Sequence, residues 1–503
     1  MRVGYGSAEL PVPDGTPMGG YIDRPGPSTG TLDPLRVSAV TWSDGERRFA
    51  LAVADVICVN TDLAEYARQA VNLDEHARRT PDQSKPATWP MRQDEHARRT
   101  ADQGGPATWP IGQDEDAGWT PASTTTARDD HSPRTTTQDE QAARTAARDE
   151  QVVWATAWDE QAGRDQDVEP VCELWLAASH THAGPETGCV PGGGVTPGPW
   201  LERVSGAVRG AVHRAVESER AADGTAHRGE LHGVGADRSR PDAARTVPLD
   251  VVAVWGDGGL AGVVVVLPVH PTVLPASNRL VSTDLAGAVR RALRARLGDG
   301  VWVVVATGAA GNVSTRFTRL GQDAAELDRL GGLVADRCVK LLAQPGERAW
   351  TGTDRIRTVR ARRALRRAQS DADLGSLAAD YEHATAAGDP VAARLARSRL
   401  EGVRARALGT PPFTDTIAAD VSVARVGELG LVGLPGEPFL GVAESIRNGR
   451  GPIAVLGYVN GYPGYLPTAE AYRRSDYEVL VSAVAPGSAE TLADTARQLL
   501  EEA

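Results

Sequence analysis

The chain has 503 residues, a formal net charge of −12 and a pI near 5.4, an acidity that argues against a nucleic-acid binder, which needs a basic face for phosphates. No run of about 18 apolar residues occurs, so no transmembrane segment is expected. Cys58, Cys172, Cys189 and Cys338 show no close pairing, and the opening Met1-Arg-Val-Gly-Tyr-Gly-Ser-Ala-Glu-Leu-Pro11 has no apolar signal region. Both features point to reduced thiols in a cytoplasmic location.

In chain order, strands are predicted near residues 37–42 and 49–56, then a helix at 62–70. Between about 70 and 168 the character changes. Asp74-Glu-His-Ala-Arg-Arg-Thr80 recurs as Asp94-Glu-His-Ala-Arg-Arg-Thr100, and the 20-residue period then decays to an Asp-Glu-Gln spacing at Asp139, Asp149 and Asp159. These units lack the aliphatic residues that stacked repeats bury, so residues 71–165 are expected to be a low-complexity, disordered insertion. The flanking residues 1–70 and 166–503 are expected to form one large domain.

Beyond the array, Leu176-Ala-Ala-Ser-His-Thr-His-Ala-Gly-Pro185 places an apolar strand before two histidines and a Gly/Pro turn. Side chains alternate along a strand, so His180 and His182 are expected on one face, where two imidazoles can ligate zinc. A helix follows at 201–218 and a strand at 251–255. Gly262-Val-Val-Val-Val-Leu-Pro-Val-His-Pro-Thr272 repeats the strand-end geometry with His270. After a helix at 284–297, a third apolar strand at 301–306 runs into a glycine-rich turn carrying Ser314, and a helix is predicted at 324–342. Residues 355–408, rich in Ala, Arg, Leu and Glu with a turn at Gly388-Asp-Pro390, read as a helical hairpin, either a lid over a site or a solvated pair. A fourth apolar strand at 429–435 ends in Gly436-Glu437, a further strand is expected at 453–457, and a helix at 489–502 closes the chain. Alternating strands and helices predict an α/β fold with a mixed β-sheet core flanked by helices. Polar residues at the carboxyl ends of separate buried strands converge on one crevice in such folds.

Several motifs occur in one order along this chain: Ser179-His-Thr-His-Ala-Gly-Pro185, His270-Pro-Thr272 with Asn278 and Val281-Ser-Thr-Asp284, Gly311-Asn-Val-Ser-Thr315, Pro435-Gly-Glu437, Asn460-Gly-Tyr-Pro-Gly-Tyr465, and Tyr477-Glu478. In that order the chain resembles the catalytic domain of the neutral/alkaline (non-lysosomal) ceramidase superfamily. Asn312 and Thr315 stand where the family has Asp and Pro, and a C-terminal β-sandwich like that of its best-known members is not expected here. The resemblance implies a zinc ion (Zn2+) held by His180, His270, Glu437 and Tyr465, with His182, Ser314, Tyr477 and Arg238 at the reaction centre. Ser314 is either a nucleophile or a positioning donor. The implied activity is zinc-dependent hydrolysis of the amide of a small-molecule N-acyl amine or lipid-like substrate. A zinc hydrolase of an ester or small cyclic amide, and an inactive binding homologue, are the alternatives.

Because the repeat array has too little apolar surface to join a core, deleting residues 75–163 is expected to shift the melting temperature by no more than about 3 °C. A larger fall in calorimetry would show that the array is structural.

Overall fold

Several strands of this protein, among them Arg48–Ala54, Glu173–Ala178, Trp302–Thr307 and Leu429–Gly433, are apolar on both faces, and that pattern sets its architecture. The computed structural model describes residues 1–21, 24–79, 172–368, 373–407, 414–474 and 476–503. Most of the repeat array lies outside the described residues. The helix expected to stop at residue 70 spans Thr61–Arg79.

The described residues contain three main sheets. The first runs in the order Glu173–Ala178, Arg48–Ala54, Arg36–Ser43, Arg2–Glu9, Arg220–Ala221. The second runs Trp302–Thr307, Gly259–Leu267, Thr246–Gly256, Asp223–His232, Glu347–Trp350. The third runs Ile356–Arg366, Thr416–Val426, Leu429–Gly433, Ile453–Leu456. The expected mixed sheet is therefore three mixed sheets. In each, a single pair is parallel: Arg48–Ala54 with Glu173–Ala178, Gly259–Leu267 with Trp302–Thr307, and Leu429–Gly433 with Ile453–Leu456. A parallel pair needs a crossover. The three crossovers contain the helices Thr61–Arg79, Asp284–Leu297 and Leu440–Arg447.

Alternation along the strands divides the core into an inner part and three outer parts. Inward residues of all three sheets, among them Phe49, Trp175, Val264, Val304, Leu431 and Leu456, share one buried cluster. Outward residues pack against helices. Ala50 and Leu176 meet Thr61–Arg79 and Gly198–Glu217; Val263 and Val305 meet Asp284–Leu297 and Ala324–Leu342; Val423 and Val455 meet Leu440–Arg447 and Ser488–Glu502. Strands covered on both faces are the reason the sequence reads as continuous Val/Leu runs.

One difference from the sequence reading has a clear physical cause. The segment expected to be helical from residue 355 begins as an edge strand, Ile356–Arg366, paired antiparallel along its length with Thr416–Val426. Its Arg and Ala content favours helix locally, but the ladder supplied by the neighbouring strand outweighs propensity. The exposed arginines suit an edge that must not recruit another chain, and Arg362 is held by Asp420 at 2.8 Å. The helical part is confined to Leu374–Ala386 and Pro390–Ala407. Asp389 starts the second helix by accepting from the Val391 and Ala392 amides, both at 3.0 Å.

Phe49 is fully buried where the sheets meet, its ring 5.0 Å from Trp175 and 5.5 Å from Trp42. Phe49→Ala is expected to cost about 3–5 kcal/mol in denaturant unfolding, whereas Leu320→Ala, at an exposed position, stays within about 0.5 kcal/mol.

Candidate metal centre

The strand Glu173–Ala178 stops two residues before His180, so strand alternation is not what pairs the two histidines. His180 instead takes a left-handed backbone, φ 62°, uncommon for a residue with a side chain. Neighbouring loops hold it there. The Ser179 amide donates to the Ala54 carbonyl at 2.8 Å, the His180 amide to Val56 at 3.0 Å, and Thr181 Oγ1 to Ser282 at 2.7 Å. Across the site Gly20, at φ 92°, passes so close to His182 that a Cβ would lie 2.5 Å from its Cγ. Only glycine permits that approach.

His270 follows the parallel strand of the second sheet, and its amide donates to the Val313 carbonyl at 2.9 Å. Glu437 follows that of the third. It begins a two-residue strand paired in parallel with Tyr465–Leu466, which puts Glu437 opposite Tyr465. Gly436, at φ 60°, approaches the Gly464 carbonyl so closely that a Cβ would lie 2.3 Å from the oxygen.

Three imidazoles and one carboxylate meet at the centre. His180 Nε2 lies 3.0 Å from His270 Nε2 and 3.3 Å from His182 Nε2. Glu437 Oε2 is 3.4 Å from His180 Nε2 and 3.1 Å from His270 Nε2. The Nδ1 atoms of His180 and His270 face the carbonyls of Ile57 and Ala310 at 2.6 and 2.8 Å. A carbonyl only accepts, so each Nδ1 carries the proton and each Nε2 turns a lone pair inward. Burial and the Arg238 charge push the His270 pKa down to about 3, and burial with the neighbouring histidines holds His182 well below its usual value. Burial would raise the Glu437 pKa, yet the facing histidines hold it well below the usual carboxylate range.

Acceptor atoms this close in a buried site repel one another unless a cation lies among them. Glu437 Oε2 makes no hydrogen bond although it is buried. Donors about 2.0–2.1 Å from one zinc ion in tetrahedral directions lie roughly 3.3 Å apart, close to the separations here. His180, His182 and His270 form a group that can hold a metal ion, and Glu437 presents an oxygen to the same space.

The other expected residues surround this cluster. Tyr465 stacks on His270 at 6.3 Å, and its hydroxyl accepts from Arg238 Nη2 at 2.8 Å. Arg238 is buried and clamped, its Nε donating to Glu478 Oε1 at 2.5 Å and its Nη2 to the Gly311 carbonyl at 2.9 Å. Tyr477 is half-buried, 5.9 Å from the Tyr465 ring, with the Arg238 guanidinium 5.8 Å over its own. Burial raises the pKa of both tyrosines. Ser314 bridges to His270 through the backbone, and its Oγ accepts from the Arg316 amide at 3.2 Å. Among the described residues no histidine or carboxylate is hydrogen-bonded to that Oγ. Asn312 faces away from the cluster: its Oδ1 accepts from the Leu440 amide at 2.9 Å and its Nδ2 donates to Asp237 at 3.1 Å.

Three partners were not singled out from the sequence. Tyr462 donates to Glu437 Oε1 at 2.5 Å; Tyr458 lies 4.3 Å from His180 with a tilted ring; Glu478 anchors Arg238. Tyr462 and Glu478 sit inside motifs already visible in the sequence, but nothing there shows which tyrosine faces the carboxylate.

No family model matches the sequence, and no curated protein matches it. Solved structures do. The chain superposes on neutral ceramidase from Pseudomonas aeruginosa with a TM-score of 0.61 and 15% identity, covering 100% of this chain and 74% of that one. A second match, described as ceramidase complexed with C2, has a TM-score of 0.62 and 15% identity, covering 100% and 75%. The protein has a neutral ceramidase-like fold.

His270→Ala is expected to abolish tight binding of a divalent cation, since it removes a central donor. Tyr462→Phe, which leaves Glu437 Oε1 without its donor, should weaken binding about 10–100-fold. Chelator competition measures both, and unchanged affinity in either variant would contradict this geometry.

Proposed function

We propose that the protein is a zinc-dependent amidohydrolase that cleaves the linear amide bond of an N-acyl amine. The observation that carries this reading is the convergence of the His180 and His270 Nε2 atoms on Glu437 Oε2, which has no hydrogen-bond donor, with His182 Nε2 3.3 Å from that of His180 and the clamped Arg238 nearby. The fold shared with structures described as ceramidases supports the reaction class. His180, His270, Glu437 and Tyr465 are assigned to the metal. Bound there, zinc would act as a Lewis acid toward the acyl carbonyl and would lower the pKa of a water to about 7.

The chain's own groups take the remaining roles. His182, kept neutral by burial, is assigned to accept a proton from the attacking water. Tyr465 and Glu478 outweigh the desolvation of Arg238 and fix its charge, which stabilises negative charge developing on the carbonyl oxygen. Tyr477, whose pKa is raised by desolvation so that it keeps its proton, is assigned to donate to the leaving nitrogen. Ser314 is assigned a positioning role, because no base stands ready to activate its hydroxyl. Among the described residues no helix is long and apolar enough to cross a membrane.

Short or polar acyl amides are expected to be cleaved faster than long-chain ceramide, because Asn312 and Thr315 replace the Asp and Pro that flank the serine in the superfamily. Turnover on matched amides, esters and ceramides, with wild type and Glu437→Ala, tests the proposal. Glu437→Ala should lower amide turnover at least about 100-fold. Cleavage of esters alone, or amide cleavage undiminished in the variant, would refute it.

A further inference from the structure

A protein of net charge −12 places several arginines without carboxylate partners beside this centre. Arg24 reaches from the loop that crosses His182. Its guanidinium donates to the His182 and Asn278 carbonyls and lies 5.2 Å over the Tyr21 ring, which meets His182 edge-on at 5.0 Å. Arg319 Nη1 donates to the Thr272 carbonyl at 2.6 Å, two residues beyond His270. Arg316 Nη1 donates to the Arg238 carbonyl at 2.8 Å, and its Nη2 to Ser398 Oγ at 3.3 Å. Each is tied to a different loop of the centre, and each acceptor is neutral.

Among the described residues, none of Arg24, Arg316, Arg319 and Arg394 forms an ion pair. The carboxylates that act on Arg319 from a distance have other partners. Asp284 accepts from the Val273, Leu274 and Leu285 amides, and Glu326 pairs with Arg329. The arginines also repel one another. Burial, with the charges of Arg238 and Arg394, lowers the Arg316 pKa to about 10, and burial and Arg394 lower that of Arg319. Arg24, Arg316 and Arg319 are half-buried, and Arg394 is exposed on the helix Pro390–Ala407, one turn before the Ser398 that Arg316 contacts. Partly desolvated guanidinium groups that share one region with only neutral partners destabilise a fold unless an anion joins them.

We propose that Arg24, Arg316, Arg319 and Arg394 bind an anionic group, a carboxylate or a phosphate, carried by the substrate next to the scissile amide. Guanidinium groups recognise both anions through paired N–H donors. This inference rests on the amidohydrolase reading and narrows its substrate from N-acyl amines in general to N-acyl compounds with a negative charge.

Binding to the full-length wild type is measured by calorimetry with unreactive sulfonamide isosteres. One pair is N-hexylsulfonyl-glycine and its neutral glycinamide; the other is N-hexylsulfonyl-phosphoethanolamine and its neutral ethanolamine. At low salt at least one anion should bind about tenfold or more tightly than its neutral partner, and the pair that shows it identifies the anion. The difference should shrink at high salt. It should also shrink in Arg319→Gln and in Arg394→Gln, the latter at an exposed position where folding is not at risk, and Arg394→Lys should retain it. Equal binding within both pairs, or a difference that survives both glutamine substitutions, overturns the inference. Turnover of the corresponding N-hexanoyl compounds separates the two readings. Anion-selective binding without amide cleavage refutes the amidohydrolase and leaves the arginine site standing. Cleavage of neutral and anionic amides alike, with no binding preference, does the reverse.

Discussion

The constraint on which the rest of the site depends is the mutual repulsion of buried acceptor atoms. Three imidazole nitrogens and a carboxylate oxygen stand between 3.0 and 3.4 Å from their neighbours, with their hydrogens directed elsewhere. Such an arrangement is stable only with a cation among them or with a surrounding structure that holds it open. Here the surroundings do much of the holding: Ile57 and Ala310 fix two rings, Tyr462 fixes the carboxylate, and Gly20 seals the chain over the third ring. The left-handed His180 is one visible cost of this arrangement.

The three-sheet plan explains how donors so distant in sequence reach one point. Each sheet contributes a parallel pair, and the loop leaving one of its strands carries a donor: His180 and His182 from the first, His270 from the second, Glu437 from the third. The pairs are tied to each other as well. Ala177 bridges to Val459 and Gly308 to Leu456, while the Asn460 amide donates to the Leu176 carbonyl at 2.9 Å. A shift of one sheet would therefore misplace one set of donors relative to the others. The shared inner core, with its large aromatic residues, resists that shift because close-packed interiors transmit displacement rather than absorb it.

Charge is distributed with the same economy of position. Arg238 is neutralised by Glu478 and steadied by Tyr465, so it is a rigid component of the centre. The arginines around it bind only carbonyls and hydroxyls, so their charge remains available to a ligand. The helix Pro390–Ala407 takes part in this boundary. Ser398 accepts from Arg316, and a Cβ on Gly402 would lie 3.0 Å from the Tyr477 carbonyl. The second helix of the hairpin, which the sequence alone left undecided between a lid and a solvated pair, thus packs against Arg316 and Tyr477.

The sequence by itself determined the elements and the chemistry of the donors. Val/Leu runs marked the buried strands, the helices Asp284–Leu297 and Ala324–Leu342 fell where expected, and His180, His182, His270 and Glu437 were visible because each follows an apolar strand. What only the tertiary structure decided depends on contacts between distant segments. Strand alternation suggested the right histidine pair for the wrong reason, since the rings converge through the left-handed His180 and the loops that grip it. Local composition favoured helix at residues 356–366, and pairing with Thr416–Val426 made it a strand. The assignment of Tyr462 to Glu437, of Glu478 to Arg238, and, among the described residues, the neutral partners of Arg24, Arg316 and Arg319 were equally out of reach. A one-dimensional pattern encodes which face of an element is apolar, whereas which polar atoms meet across three sheets is decided only when those faces are packed.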